Sequence, residues 1–311
     1  MTPVAESWKM ALRRRQDHFD LSDDSTCLRL LHSEDERLRC DRFGSVCWFY
    51  RYRTGQPTGA EQAQYDAFAA SAGATHWHAH GMSDRGRDPQ AREHVSSRGA
   101  PETWMARENG VQFELRANRG QSAGLFLDQR DNRAWVRQNS ANARVLNLFA
   151  YTGAFGVSAL LGEAAEAVQV DVSRPYLDWA RVNATHNGVH DERSQYKAVD
   201  AQLLVDGCRK RGRRFDGIIC DPPSFGRGRG RNSRVFQVQH DLVPLLQTCV
   251  ALLDPGGWIL VSTNYEGWTQ AQFDGVLAGV GGQRETAPGA GADFRMGSAE
   301  PLLKSSILRS V

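Results

Sequence analysis

Hydrophobic and polar positions follow two different rhythms along the chain. In residues 26–116 the apolar runs Cys27-Leu28-Arg29-Leu30-Leu31 and Val46-Cys47-Trp48-Phe49-Tyr50 are short, with a turn expected over 41–45. Residues 60–70 have helical composition, and 75–80 predict another strand. Residues 104–115 predict a hairpin turning at Glu108-Asn109-Gly110, because Asn-Gly accepts the positive φ of a tight turn. Residues 82–101 are polar and arginine-rich and read as a long loop. From about Gly120 the rhythm becomes strand, turn, helix. Apolar strands are expected over 143–149, 165–171, 195–200, 215–221 and 258–262. Helices are expected from 156, over 174–183, up to about 210, and over 236–253. Such alternation predicts an α/β fold, a mostly parallel sheet with helices on both faces, preceded by a small α/β domain.

The composition is that of an ordinary globular protein: 311 residues, 41% hydrophobic and 24% charged, enough for about two domains. The expected division is an arm over 1–25, a small domain over 26–116 and a larger one over 117–311. No apolar run approaches the ~18 residues of a membrane helix, and the N-terminus has no signal-peptide core, so a cytoplasmic location without a membrane partner is expected. Six cysteines without a Cys-x-x-Cys pair exclude a disulfide scaffold or zinc ribbon. Net charge is only +2, yet 34 of the 38 basic residues are arginine, the better residue for forked phosphate contacts.

Ligands of such sheets sit at the carboxyl ends of the strands. Those ends carry Asn147, Asp171, Asp200, Asp221 and Thr263. The first turn, Asn147-Leu-Phe-Ala-Tyr-Thr-Gly153-Ala-Phe-Gly156, keeps glycine only at 153 and 156, where backbone is expected to approach a ligand. Absence of G-x-G-x-x-G argues against a dinucleotide dehydrogenase. Asp171 is placed either to hold a ribose or to cap the following helix. Asp221-Pro222-Pro223-Ser224-Phe225 is a rigid strand end whose carbonyls can accept from a base edge, with Phe225 as a stacking face. The run Arg209–Arg234 is strongly basic, and Arg227, Arg229 and Arg231 alternate with glycine: a nucleic-acid clamp or a solvated surface. His76, His78 and His80 alternate along one strand; zinc stays open there, but a surface or domain-interface strand without metal is the expectation. Cys220 and Cys249 read as core residues.

The order Val145-Leu-Asn-Leu-Phe-Ala-Tyr-Thr-Gly153, Val170-Asp-Val-Ser173, Asp200, Asp221-Pro-Pro-Ser-Phe225 resembles a class I S-adenosylmethionine-dependent methyltransferase with its Rossmann-like sheet. More narrowly it is similar to bacterial large-subunit ribosomal RNA methyltransferases of the N7-guanine and C5-cytosine branch. Gly124-Leu-Phe-Leu-Asp-Gln-Arg-Asp-Asn-Arg133 and the segments 28–34 and 41–44 match as well, so the likeness spans roughly 26–265. It implies that 117–311 binds S-adenosylmethionine and that 26–116 lies on the substrate side. Asn147, Phe149, Tyr151 and Gly153 would line the methionine part, with Arg130 and the segment around Phe126 closing over it. Asp171 and Ser173 would hold the ribose, and Asp200 and Ala201 the adenine. Asp221, Pro222 and Pro223 would border the methyl group and the target base. Cytosine-C5 members attack with a cysteine in Ser-Cys-Ser, whereas this chain has Ser262-Thr263-Asn264. That pairing with Asp-Pro-Pro-Ser-Phe resembles the guanine-N7 enzymes, implying ribosomal RNA as partner, Asn264 as a substrate contact and no cysteine nucleophile. Only the short segment 1–25 precedes the small domain, so the separate RNA-binding domain of many relatives is not expected. The alternatives are a small-molecule or protein methyltransferase of the same fold, or a cytosine-C5 enzyme.

Overall fold

Short, mostly buried strands in the first part of the chain form a five-stranded sheet. In the computed structural model, residues 4–23, 26–53, 55–82, 93–120, 122–223, 236–296 and 302–310 are described. Helix α1 (Glu6–Gln16) precedes strands β1 (Cys27–Leu31), β2 (Leu38–Phe43) and β3 (Val46–Arg51). Helix α2 (Gly59–Ser71) then leads to β4 (His76–Gly81) and β5 (His94–Ser96). The order is β1-β2-β3-β4-β5, with β3 and β4 parallel across the α2 crossover and the other pairs antiparallel. Thr58 and Glu61 close a capping box that starts α2. The hairpin β6 (Thr103–Glu108) and β7 (Val111–Arg116) turns where the sequence places it, with φ of 49° at Asn109 and 78° at Gly110.

This first unit comprises Met1–Leu127 together with Gly291–Glu300. Helix α1, within the expected N-terminal helix or arm, packs into this unit: Trp8, Ala11 and Leu12 are buried with Leu28, Tyr65 and Phe68. A returning helix, Ala292–Arg295, is also tied in, its Asp293 carboxylate accepting from the Arg29 backbone N–H at 2.7 Å. Both buried contacts were invisible to local patterning. Of the surface or domain-interface strand expected from the histidines, the surface reading does not hold: β4 lies between β3 and β5, with His78 and His80 buried. His80 stacks on Trp48 at 4.1 Å, and His78 shares a 2.9 Å hydrogen bond with His94. Burial pushes His78 down to about 4, so it is neutral at ordinary pH. Among the described residues no cluster of His, Cys, Asp or Glu is arranged to hold a metal.

The second unit, Asp128–Ala290 with Pro301–Val311, contains the alternating segment. Its elements are α3 (Arg130–Gln138), β8 (Arg144–Leu148), α4 (Ala154–Leu161), β9 (Glu166–Asp171), α5 (Arg174–His186), β10 (Ser194–Ala198), α6 (Ala201–Lys210) and β11 (Phe215–Cys220). They continue with α7 (Val238–Val250), β12 (Leu253–Thr263), α8 (Gln270–Leu277), β13 (Gln283–Thr286) and β14 (Lys304–Arg309). The sheet order is β10-β9-β8-β11-β12-β14-β13, parallel as far as β12, with β14 antiparallel to both neighbours. Leu146, Ile218 and Ile259 pack with α6, α7 and α8, while Val145, Ile219 and Leu260 pack with α3 and α4. Alternate residues thus feed two cores, one on each face.

The start of α4 lies so close to its neighbours that no Cβ fits at Gly153 or Gly156. A Cβ at Gly156 would lie 2.3 Å from Cδ of Gln169, and one at Gly153 2.6 Å from Cβ of Ala180. Gly156 therefore serves helix–sheet packing, and Gly153 lets the turn take its positive φ against Ala180 of α5. Gly156→Ala is expected to cost about 1–3 kcal/mol through overpacking. In the double variant Gly156→Ala/Gln169→Ala the loss should be smaller than the sum of the two single losses. Denaturant midpoints of the four proteins check this, and strict additivity would contradict it.

Candidate active site

Successive strands run outward from β8 in two directions, through β9 to β10 and through β11 to β12. A crevice at the carboxyl ends of β8 and β11 follows from that reversal. The turn leaving β8 holds three left-handed residues in five: φ is 57° at Phe149, 51° at Tyr151 and 79° at Gly153. For the two non-glycine residues this costs of order 1 kcal/mol or more each, and such strain persists only where surrounding bonds impose it. Here Ala150 N–H donates to Val170 O at 2.8 Å and Asn183 Nδ2 to Thr152 O at 2.9 Å. Tyr151 N–H donates to the Asp171 carboxylate at 3.0 Å, and Ser173 N–H to its other oxygen at 2.8 Å. Asp171 thus joins two strand-end loops. The cap position of α5 is Ser173, not Asp171, which removes the simple helix-cap reading.

Other sequence-selected residues occupy different settings. Asn147 is buried and donates to Gln169 Oε1 at 3.3 Å, so its side chain is engaged inside the helix–sheet packing. Asp200 caps α6, accepting from Leu203 N–H at 3.1 Å, with Ala201 buried at the first turn. Arg130 is buried at the start of α3 and paired with Asp131 at 3.3 Å. Pro222 is buried and Pro223 exposed. Asn264 is exposed and donates to Asp128 Oδ2 at 3.1 Å. Phe225, Arg227, Arg229 and Arg231 lie outside the described residues.

Asp221, at the end of β11, accepts from Ser262 Oγ at 2.7 Å. Ser262 in turn accepts from Gln129 Nε2 at 2.9 Å, and Gln129 Oε1 accepts from Asn132 Nδ2 at 2.7 Å. Burial pushes the Asp221 carboxyl up to about 6; Asp128 adds to this, while hydrogen bonds from Ser262 and Gln129 and the charge of Arg133 oppose it. Sequence reasoning gave no role to Gln129, Asn132 or Ser262. The signal was present in Asp128-Gln-Arg-Asp-Asn-Arg133, of which only Arg130 was given a task. All six cysteines are buried, and burial pushes Cys220 up and Cys249 up to about 12. A separate cavity at the amino edge of the sheet is lined by Arg214, Leu253, Asp254 and Ser310. Arg214 there is committed to the carbonyls of Ala251 and Leu253, and the strained turn and the Asp221 network lie at the opposite strand ends.

Residues 38–271 match the family described as S-adenosylmethionine-dependent methyltransferase. The chain belongs to that family. Ribosomal RNA large subunit methyltransferase K of Neisseria meningitidis serogroup B is 38% identical over 165 residues, 53% of this chain and 46% of that protein. Ribosomal RNA large subunit methyltransferase I of Aeromonas salmonicida is 37% identical over 171 residues, 55% of this chain and 42% of that protein. The chain spans less than half the length of these curated relatives. Among solved structures, SMU.776, assigned as a methyltransferase and complexed with SAH, aligns with TM-score 0.81 and 25% identity, covering 98% of this chain and 80% of that one. A methyltransferase of Agrobacterium tumefaciens shares the fold at TM-score 0.69 and 21% identity, over 91% and 89% of the two chains.

The cofactor of this methyltransferase is S-adenosylmethionine. The strand ends fit it: a strained turn clamped against a carboxylate on the neighbouring strand gives backbone and charged acceptors on one edge. Among the described residues no helix is long and apolar enough to cross a membrane.

Because the folded carboxyl of Asp221 titrates near 6 instead of its ordinary 3.8, the native state holds that proton more tightly than the unfolded chain. Its contribution to stability is fullest below about pH 4, falls as pH rises to about 6, and is level above. Asp221→Asn, which stays neutral, is expected to exceed the parent in stability at pH 7 by of order 1–3 kcal/mol and to match it near pH 4. Denaturant midpoints at both pH values check this; an offset independent of pH would contradict it.

Proposed function

We propose that this methyltransferase acts on RNA, transferring a methyl group to N7 of a guanine of the large ribosomal subunit without a cysteine nucleophile. The observation that carries the reading is Ser262-Thr263-Asn264 at the end of β12, in a chain whose six cysteines are all buried. Methylation at cytosine C5 would need an accessible thiolate to add to the ring at C6. Guanine N7 carries its lone pair without deprotonation, so the work left to the protein is orientation and exclusion of water. The similarity to ribosomal RNA large subunit methyltransferases K and I supports RNA as the substrate class.

When bound, the cofactor supplies the methyl group and its own leaving group. Phe149, Tyr151 and Gly153 hold its amino-acid end, with Asn147 behind them and Arg130 closing over it. Asp171 holds the ribose, with Ser173 beside it, and Asp200 and Ala201 face the adenine. Asp221 and the Pro222 and Pro223 carbonyls border the reacting atoms, with Phe225 stacking on the base and Asn264 touching its edge. Arg227, Arg229 and Arg231 bind phosphates. In this reading the first unit, with its N-terminal segment, meets the RNA, and the chain works in the cytoplasm.

Asp171→Ala is expected to weaken cofactor binding by about 1–3 kcal/mol, measured by calorimetry. Methylation of bulk RNA, protein and metabolite extracts tests the substrate class, with the label expected in RNA as 7-methylguanosine. Cys220→Ala and Cys249→Ala should remain within a few-fold of the parent, and 5-fluoropyrimidine RNA should give no covalent adduct. Label in protein or metabolites would overturn RNA as substrate; a trapped adduct would return cytosine C5 as the target.

A further inference from the structure

The buried amides around Asp221 form a chain with a single direction. A backbone N–H can only donate, so Gly289 N–H, 3.0 Å from Asn132 Oδ1, fixes which way the Asn132 amide faces. Its Nδ2 must then donate to Gln129 Oε1 at 2.7 Å, which turns Gln129 Nε2 toward Ser262 Oγ at 2.9 Å. With its oxygen accepting, the Ser262 hydroxyl gives its one hydrogen to Asp221 Oδ1 at 2.7 Å. Gln129, Asn132 and Ser262 are 2%, 0% and 0% exposed, so water cannot reorient them. Four successive bonds, each consistent with the next, leave one arrangement.

We infer that Asn132, Gln129 and Ser262 are positioning residues that aim the Asp221 carboxyl at the reacting atoms. The inference rests on the proposed role of Asp221 at the methyl-transfer site. The three side chains come from the turn before α3, from α3 itself and from the end of strand β12, so the relay also fixes the α3 start against the β11 and β12 ends. Two charged groups act on Asp221, the carboxylate of Asp128 and the guanidinium of Arg133 on α3. Neither is a member of the relay. The relay supplies what they do not: a hydrogen bond of set direction that favours the ionised carboxylate and holds its plane.

The test is a titration of Asp221 in the ligand-free protein by carbon-13 NMR of labelled aspartate, assigned with Asp221→Asn. Ser262→Ala removes one oxygen and should move the midpoint upward by about one pH unit, the worth of a hydrogen bond to a charged group. Gln129→Leu should move it in the same direction, and Ser262→Thr, which keeps the hydroxyl, should restore the parent value. In methyl transfer, Ser262→Ala should lower kcat about tenfold, shift its acid limb with the titration and leave cofactor affinity unchanged. If Gln129→Leu fails to fold, Ser262→Ala decides. An unchanged midpoint in folded Ser262→Ala overturns the relay, whatever the activity does. A shifted midpoint with unchanged methyl transfer upholds the relay as a hydrogen-bonding device and overturns the placement of Asp221 in the reaction.

Discussion

The lack of room for a Cβ at Gly153 and Gly156 is the constraint on which the site depends. Because neither glycine carries a Cβ, the start of α4 settles directly against Gln169 of β9 and Ala180 of α5. The five residues between β8 and α4 must then turn within a very short span, and they do so with Phe149, Tyr151 and Gly153 in the left-handed region. Such a turn would relax if isolated. It is held because Asp171, one strand away, accepts the Tyr151 amide while its second oxygen accepts from Ser173. Packing geometry is thereby converted into a fixed backbone edge at a strand end.

A second balance operates at β11. Burial favours the neutral acid at Asp221, while Ser262 and Gln129 favour the carboxylate, and the result lies near 6. A group so poised responds to small changes in its surroundings, including a charge brought in by a ligand. The cysteines show the opposite outcome. Cys220 is the immediate neighbour of Asp221 but points into the core beside Val261 and Cys249, where burial keeps its thiol protonated.

Much of the sheet was legible in the sequence, since buried parallel strands are continuous apolar runs ending in polar residues and the intervening helices carry their own periodicity. The five strands read from 143–262 correspond to β8 through β12. Beyond Thr263 the antiparallel β14, inserted between β12 and β13, has no signature separating it from loop, because four of the six residues in Lys304-Ser-Ser-Ile-Leu-Arg309 are polar. Asp171 and Asp221 stood out because charge at the end of an apolar run is conspicuous. Gln129, Asn132 and Ser262 did not, because uncharged polar side chains declare themselves only through partners distant in sequence: Gln129 and Ser262 are 133 residues apart. The histidines of β4 misled for a related reason. Alternation on a strand is the same whether the face meets water or Trp48 and Trp104.

We propose that the cofactor seats on the carboxyl edge of the second unit's sheet, on the turn that Asp171 holds. The most direct measurement is amide chemical-shift mapping by NMR as S-adenosylhomocysteine is added. The account predicts perturbations concentrated at 149–153, 171–173, 200–201 and 221, with Arg214, Asp254 and Ser310 at the amino edge unmoved. Shifts centred on that amino-edge cavity, with the 149–153 turn unchanged, would contradict it.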